Sequence, residues 1–184
     1  QDDAYNLMLV STLYYFGNRN EEAAALLNRY VELSPKDVSA YRLLAKIQLA
    51  LNRPQVALRV LRKGIEVSQN DVSLYALMAE AEMKQKNFQR ASELFALIAK
   101  YNPENTDIHQ RLALAKLAEG KTEAAIVMFE DLIEKNSSIL SYRFMLANIY
   151  LGLGDFENTL RMCAELIVQD PDNPMTYNIM GNAY

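Results

Sequence analysis

The stretch Gly120-Lys121-Thr122 carries the residue types with which a phosphate-binding loop ends. Such a loop wraps backbone N–H groups around phosphates, its Lys reaching the phosphate oxygens and its Thr holding a magnesium ion. It needs another glycine five residues before its second one, and Ala115 stands there. It must also follow a buried strand, whereas residues 108 to 115 place apolar side chains at helical spacing. The expected structure is a helix end: Gly120 closes one helix, Lys121 is exposed, Thr122 caps the next helix, and Glu123 sits near its positive end. No nucleotide is expected here.

The remaining chemistry-bearing residues are few. His109 is the single histidine, so a site built on several histidines is excluded. It falls in a column that holds Tyr41, Tyr75 and Tyr177, which predicts a packing role. Cys163 is the single cysteine and rules out an internal disulfide. Its column holds Phe95 and Phe129, so a core thiol of low reactivity is expected. Carboxylates such as Glu21-Glu22, Glu130-Asp131 and Glu134 fall on helix faces that should be solvated. A paired-carboxylate acid/base site needs a cleft that lifts one pKa, and nothing in the sequence builds one. The segment reads as non-catalytic, with no cofactor.

Composition agrees. Of 184 residues, 51% are hydrophobic and 23% charged, and the net charge is -4. A duplex-binding domain usually carries a basic face, so nucleic acid is not expected as a partner. No apolar run is long enough to span a bilayer, so no direct membrane insertion is expected. With 6 Gly and 5 Pro, the chain is poor in the residues of loop-rich β architectures. It starts Gln1-Asp2-Asp3 and enters a helical pattern at once. That start predicts a segment of a longer protein, with any targeting signal outside it.

The elements that position these residues recur. At a shift of 34, Ala23, Ala57, Ala91, Ala125 and Thr159 fall in register. Ser11, Ala45, Ala79, Ala113, Ala147 and Gly181 form a second small column, preceded by Val10, Leu44, Met78, Leu112, Leu146 and Met180. Leu27, Leu61, Phe95, Phe129 and Cys163 form another. Pro35, Pro103 and Pro171 share a column with Gln69 and Ser137. Each unit holds two apolar helical runs. Asn18, Asn52, Gly120 and Gly154 between the runs suit left-handed helix ends. Pro54 suits a first helical turn, and Asp37, Asp71 and Asn105 suit N-caps. The small columns let two antiparallel helices approach closely. A single such hairpin cannot bury its apolar face, so the hairpins must stack.

These columns resemble the tetratricopeptide repeat. The period, the small-residue pair, the early aromatic of the first helix (Tyr41, Tyr75, Tyr177) and the terminal Pro all agree. The closing stretch 177–184 is very similar to a consensus first helix. His109 and Arg143 depart from the aromatic place, Tyr30 and Gly64 from a late small one, and Thr159 from Ala. The resemblance implies an all-α, right-handed superhelical solenoid over residues 1–184. Its repeats are expected at 4–37, 38–71, 72–105, 106–139 and 140–173, with the first helix of a sixth at 174–184. Stretches such as AYRLLAKIQLALNRPQVAL are also similar to tetratricopeptide lipoproteins of the bacterial PEP-CTERM/exosortase system. That likeness implies an envelope or periplasmic location through a lipid anchor outside this segment, and a link to exopolysaccharide export and protein sorting.

The family binds a partner protein or peptide in the concave groove lined by its first helices. The residues expected there are Tyr5, Met8, Thr12, Tyr15 and Phe16, then Arg42, Lys46 and Leu49, then Ala76, Glu80, Met83 and Lys84. They continue with Gln110, Leu114 and Leu117, then Phe144, Asn148 and Leu151, and end with Asn178 and Asn182. The family's carboxylate clamp uses Lys and Asn where this chain has Met8 and Thr12, so that ligand is not expected. Self-association through exposed array ends is a further expectation. Two other functions stand beside the envelope scaffold. One is a cytoplasmic adaptor for a partner's tail, the other the regulatory arm of an enzyme whose catalytic domain lies elsewhere.

Overall fold

Two kinds of turn alternate along the chain, and together they set its architecture. A computed structural model describes the backbone of residues 2–184 and side chains from Asp3 onward, so Gln1 lies outside it. The helices are α1 (Asp2–Phe16), α2 (Asn20–Leu33), α3 (Val38–Ala50), α4 (Pro54–Val67), α5 (Val72–Lys84) and α6 (Phe88–Tyr101). They continue as α7 (Thr106–Ala118), α8 (Thr122–Lys135), α9 (Leu140–Leu153), α10 (Phe156–Gln169) and α11 (Pro174–Ala183). No strand occurs among the described residues. The chain forms two compact units, Gln1–Asn102 and Pro103–Tyr184. In each, consecutive helices pair as hairpins, and successive hairpins stack.

The turn inside a hairpin reverses on one left-handed residue. Asn18, Asn52, Gly120 and Gly154 all have positive φ, as their types predict. The third hairpin uses Lys86 at φ 63° instead, a residue that pays for its Cβ in this conformation. The turn between hairpins ends on an N-cap. Asp37, Asp71 and Asn105 accept from the backbone N–H of Ser39, Leu74 and Ile108, and Pro54 opens α4 at the first turn. One expectation is corrected: Thr122 does not cap α8. Lys121 holds the N-cap position without a side-chain bond, and Thr122 is already the first helical residue. The left-handed turn at Gly120 completes the reversal so quickly that the helix starts one residue earlier than a Thr cap would need.

The between-hairpin turn also carries a repeated clamp. Tyr41 Oη donates to the Pro35 carbonyl at 3.0 Å, and Tyr177 Oη to the Pro171 carbonyl at 2.7 Å. His109 takes the same place through Nε2–H, 2.9 Å from the Pro103 carbonyl. Arg143 does so through its guanidinium, 2.6 Å from the Ser137 carbonyl. These carbonyls lie beyond a helix end, where no backbone donor reaches them. His109 therefore has the structural role its column predicts. Arg143 is buried in a tyrosine place, and Glu165 neutralises it at 2.9 Å.

The core sits where the small columns meet. Ala23, Ala57, Ala91, Ala125 and Thr159 are fully buried, as are Ser11, Ala45, Ala79, Ala113 and Ala147. The two hydroxyls among them bond to their own helices: Ser11 to the Met8 carbonyl and Thr159 to the Asp155 carbonyl, both at 2.8 Å. Leu27, Leu61, Phe95, Phe129 and Cys163 fill the space beside them. Burial pushes the Cys163 thiol up, away from thiolate. Gly181 is exposed at the end of α11, which packs on α9 and α10.

Candidate functional site

A first helix spends one face on its own hairpin and another on its neighbours. Whatever remains is available to a partner. In unit 1 this face belongs to α1, α3 and α5, with α3 and α5 in direct contact. On α1, Tyr5 and Phe16 are exposed, while Met8 and Tyr15 lean on the core made by Ala23, Leu27, Ala40, Leu44 and Ile47. Thr12 turns its hydroxyl onto its own helix, donating to the Met8 carbonyl at 2.8 Å. On α3, Arg42 reaches Asp71 at 3.5 Å, and Lys46 is exposed without an ion pair among the described residues. On α5, Ala76, Glu80 and Met83 are half-buried and Lys84 is exposed. Leu49 departs from its expected place: it is buried in the core, although Tyr15, Met83, Leu117 and Leu151 at the same place in other repeats are half-buried.

Unit 2 offers a different lining on α7, α9 and α11. Leu114, Leu117, Phe144 and Leu151 are half-buried against the core of Phe129, Leu146 and Ile149. Gln110 is half-buried, and Asn148, Asn178 and Asn182 are exposed. Asn148 Nδ2 donates to the Phe144 carbonyl at 2.7 Å, and Asn182 Nδ2 to Asn178 Oδ1 at 3.4 Å. Each amide keeps further hydrogen-bonding capacity for a ligand. The expected residues of this unit bring no charge, whereas those of unit 1 bring three cations and Glu80.

Two depressions add residues that the sequence reading missed. In unit 2 an open hollow of about 340 Å³ joins Leu117 and Asn148 to Thr122, Met145, Gly152 and Leu153. Gly152 supplied a signal, since Phe16, Ala50 and Lys84 carry side chains in its column. In unit 1 a hollow of about 570 Å³ lies between Val72, Tyr75, Leu97 and Tyr101. Its lining comes from the start of α5 and the end of α6, and no single-helix period joins those two places. Among the described residues, no three His, Cys, Asp or Glu side chains group as metal ligands. No described helix is long and apolar enough to cross a membrane.

Hairpins joined on small residues, with first-helix faces left partly open, define a helical-repeat protein. The Tetratricopeptide repeat family matches residues 17–81 and 82–138, and a second form of it matches 111–174. The chain belongs to the tetratricopeptide repeat family. Its fold is similar to a solved structure of MamA from Desulfovibrio magneticus RS-1. There the TM-score is 0.85 at 15% identity, over 95% of this chain and 98% of that one. A tetratricopeptide repeat protein from Parabacteroides merdae ATCC 43184 gives 0.87 at 16% identity, over 100% and 73%. YrrB, described as having an unusual peptide-binding site, gives 0.75 at 16% identity, over 94% and 89%. No curated protein matches the sequence. The family fold is suited to holding other proteins.

Proposed function

We propose that the chain is a non-catalytic scaffold that holds another protein, or an extended segment of one, along its first-helix faces. One observation carries this reading. The columns that hold the hairpins together are fully buried, yet Tyr5, Phe16, Lys46 and Lys84 on the first helices are left in solvent. Apolar surface beside a few polar anchors is what an extended peptide needs for grip and register. In unit 1 Lys46 and Lys84 are exposed, with no ion pair among the described residues, and favour an acidic group on the ligand. In unit 2 the amides of Asn148, Asn178 and Asn182 favour backbone groups of a peptide. The peptide-binding site named for YrrB supports the use of this fold for such a ligand. We place the scaffold in a bacterial envelope assembly linked to exopolysaccharide export and PEP-CTERM protein sorting. A lipid anchor outside this segment would hold it there. The support for that placement is the sequence likeness of its repeats.

The test is a crosslinking capture with this chain as bait, run separately on envelope and cytosolic extracts. A second bait carries Arg42→Glu, Lys46→Glu and Phe144→Ala. The expected result is one partner taken from the envelope extract and lost with the altered bait. Equal capture by both baits would remove the first-helix faces from the function. Capture from cytosol alone would contradict the envelope placement.

A further inference from the structure

In the turn between the second and third hairpins the clamp is not made. Tyr75 stands in the place of Tyr41, His109, Arg143 and Tyr177, and Gln69 in the place whose carbonyl those four side chains cap. Among the described residues, neither the Tyr75 hydroxyl nor the Gln69 carbonyl has a hydrogen-bond partner. The late small column gives the physical reason. A Cβ on Gly64 would lie 3.0 Å from the Tyr41 Cβ, so Tyr41 closes its clamp over a residue with no side chain. In the third hairpin that place holds Ile98, which is buried. Its side chain takes the space that Gly64 leaves to Tyr41, and Tyr75 stands off. Leu132 and Leu166 hold the same place in the next two hairpins, and there His109 and the long arm of Arg143 make the bond instead of a tyrosine.

Both halves of the open clamp line the hollow of about 570 Å³, and Val72, Leu97, Ile98 and Tyr101 give it apolar walls. Leu97 is 44% exposed and Tyr101 73%. The place of Leu97 is charged in the other four hairpins, as Arg29, Lys63, Asp131 and Glu165. In the fifth it matches the clamp above it, since Glu165 neutralises Arg143 at 2.9 Å. In the third it is apolar, and among the described residues no charged side chain lines the hollow. We propose that the open clamp is a binding site for a tyrosine side chain of a partner protein, its ring against Leu97 and Tyr101 and its hydroxyl donating to the Gln69 carbonyl. The occupant follows from the sister turns. In each of them the equivalent carbonyl takes a side-chain donor, and the phenol is the donor used at Tyr41 and Tyr177. Uncharged walls accept a neutral ring, whereas a guanidinium there would lack the carboxylate that Arg143 has. The site lies at the start of α5 and the end of α6, apart from Glu80, Met83 and Lys84 further along α5. It stands whether or not the first-helix faces bind a ligand.

An NMR titration of the 184-residue chain with N-acetyltyrosinamide tests this, with N-acetylphenylalaninamide as the comparison. The expected result is saturable amide shifts at residues 69–75 and 97–101. The tyrosine probe should bind roughly three- to tenfold more tightly than the phenylalanine probe, the net weight of one hydrogen bond. Leu97→Lys together with Tyr101→Lys should abolish the saturable shifts. Lys63 and Lys135 hold those two places in other hairpins, and both replaced residues are exposed, so the variant keeps the fold. No saturable shift in the two segments would overturn the proposal. So would unchanged binding to the variant. Equal affinity for the two probes would overturn it as well, by removing the contact with the carbonyl.

Discussion

Lys86 holds a left-handed turn that asparagine or glycine holds in the other four hairpins. A side chain with a Cβ is strained in that region by roughly 1–2 kcal/mol. Part of that strain would be offset by the greater freedom of glycine in the unfolded chain. Lys86→Gly should therefore stabilise the protein by about 1 kcal/mol, read as a higher urea midpoint at unchanged slope. Asp37 makes a second residue-scale statement. Burial alone would raise its pKa, but hydrogen bonds from Ser39 and the Tyr30 hydroxyl outweigh it and hold the carboxyl below its usual value. A depressed folded pKa means that the stabilisation is present above about pH 4 and is lost as pH falls through the lower folded value. Asn at this position keeps a cap acceptor but no titrating charge. Asp37→Asn should flatten the loss of stability below about pH 4 in acid titrations followed by circular dichroism. Cys163, buried and pushed toward the thiol, should resist a thiol reagent until the protein is unfolded. Rapid labelling of the folded chain would contradict its core placement.

At the scale of the element, hairpin closure rests on how near two helices approach. Gly64 shows the tolerance: a Cβ there would lie 3.0 Å from the Tyr41 Cβ and 3.2 Å from both Leu74 methyls. Tyr41 is anchored by its own bond to the Pro35 carbonyl and cannot retreat. Gly64→Val should cost about 1–3 kcal/mol through overpacking, whereas Phe129→Ala should cost about 3–5 kcal/mol through the cavity it leaves. Thermal or urea unfolding measures both. Small and large columns of this kind were legible because they recur at a fixed period, and seven of the left-handed or capping positions were legible because Asn, Gly and Asp announce them. Lys86 was not, since nothing in a lysine signals positive φ and only the column placed it there. The Arg143–Glu165 pair was not, because the two sit on different helices, 22 residues apart. Leu49 was assigned to the open face, although a helix position between two faces is decided by how closely the neighbour packs. The individual lining residues are the least legible, because side chains left over from packing obey no repeat constraint.

At the scale of the whole molecule, stacking repeats share their stability with their neighbours, and the proposed function uses the surfaces this leaves open. Its net charge is -4, yet the expected lining of unit 1 brings Arg42, Lys46 and Lys84. Binding of an acidic ligand there should weaken as salt is raised, because exposed charges are screened within about 10 Å at 0.1 M ionic strength. Lys46→Glu should weaken binding and remove much of that salt dependence, measured by titration calorimetry. The central claim is that partners are held on the first-helix faces. Lysine crosslinking of the captured partner, mapped by mass spectrometry, tests it most directly. Lys46 and Lys84 lie on first helices, whereas Lys63, Lys100 and Lys135 lie on second helices. The account expects crosslinks concentrated at Lys46 and Lys84. Crosslinks concentrated at Lys63, Lys100 and Lys135 would place the partner on the opposite face and contradict it.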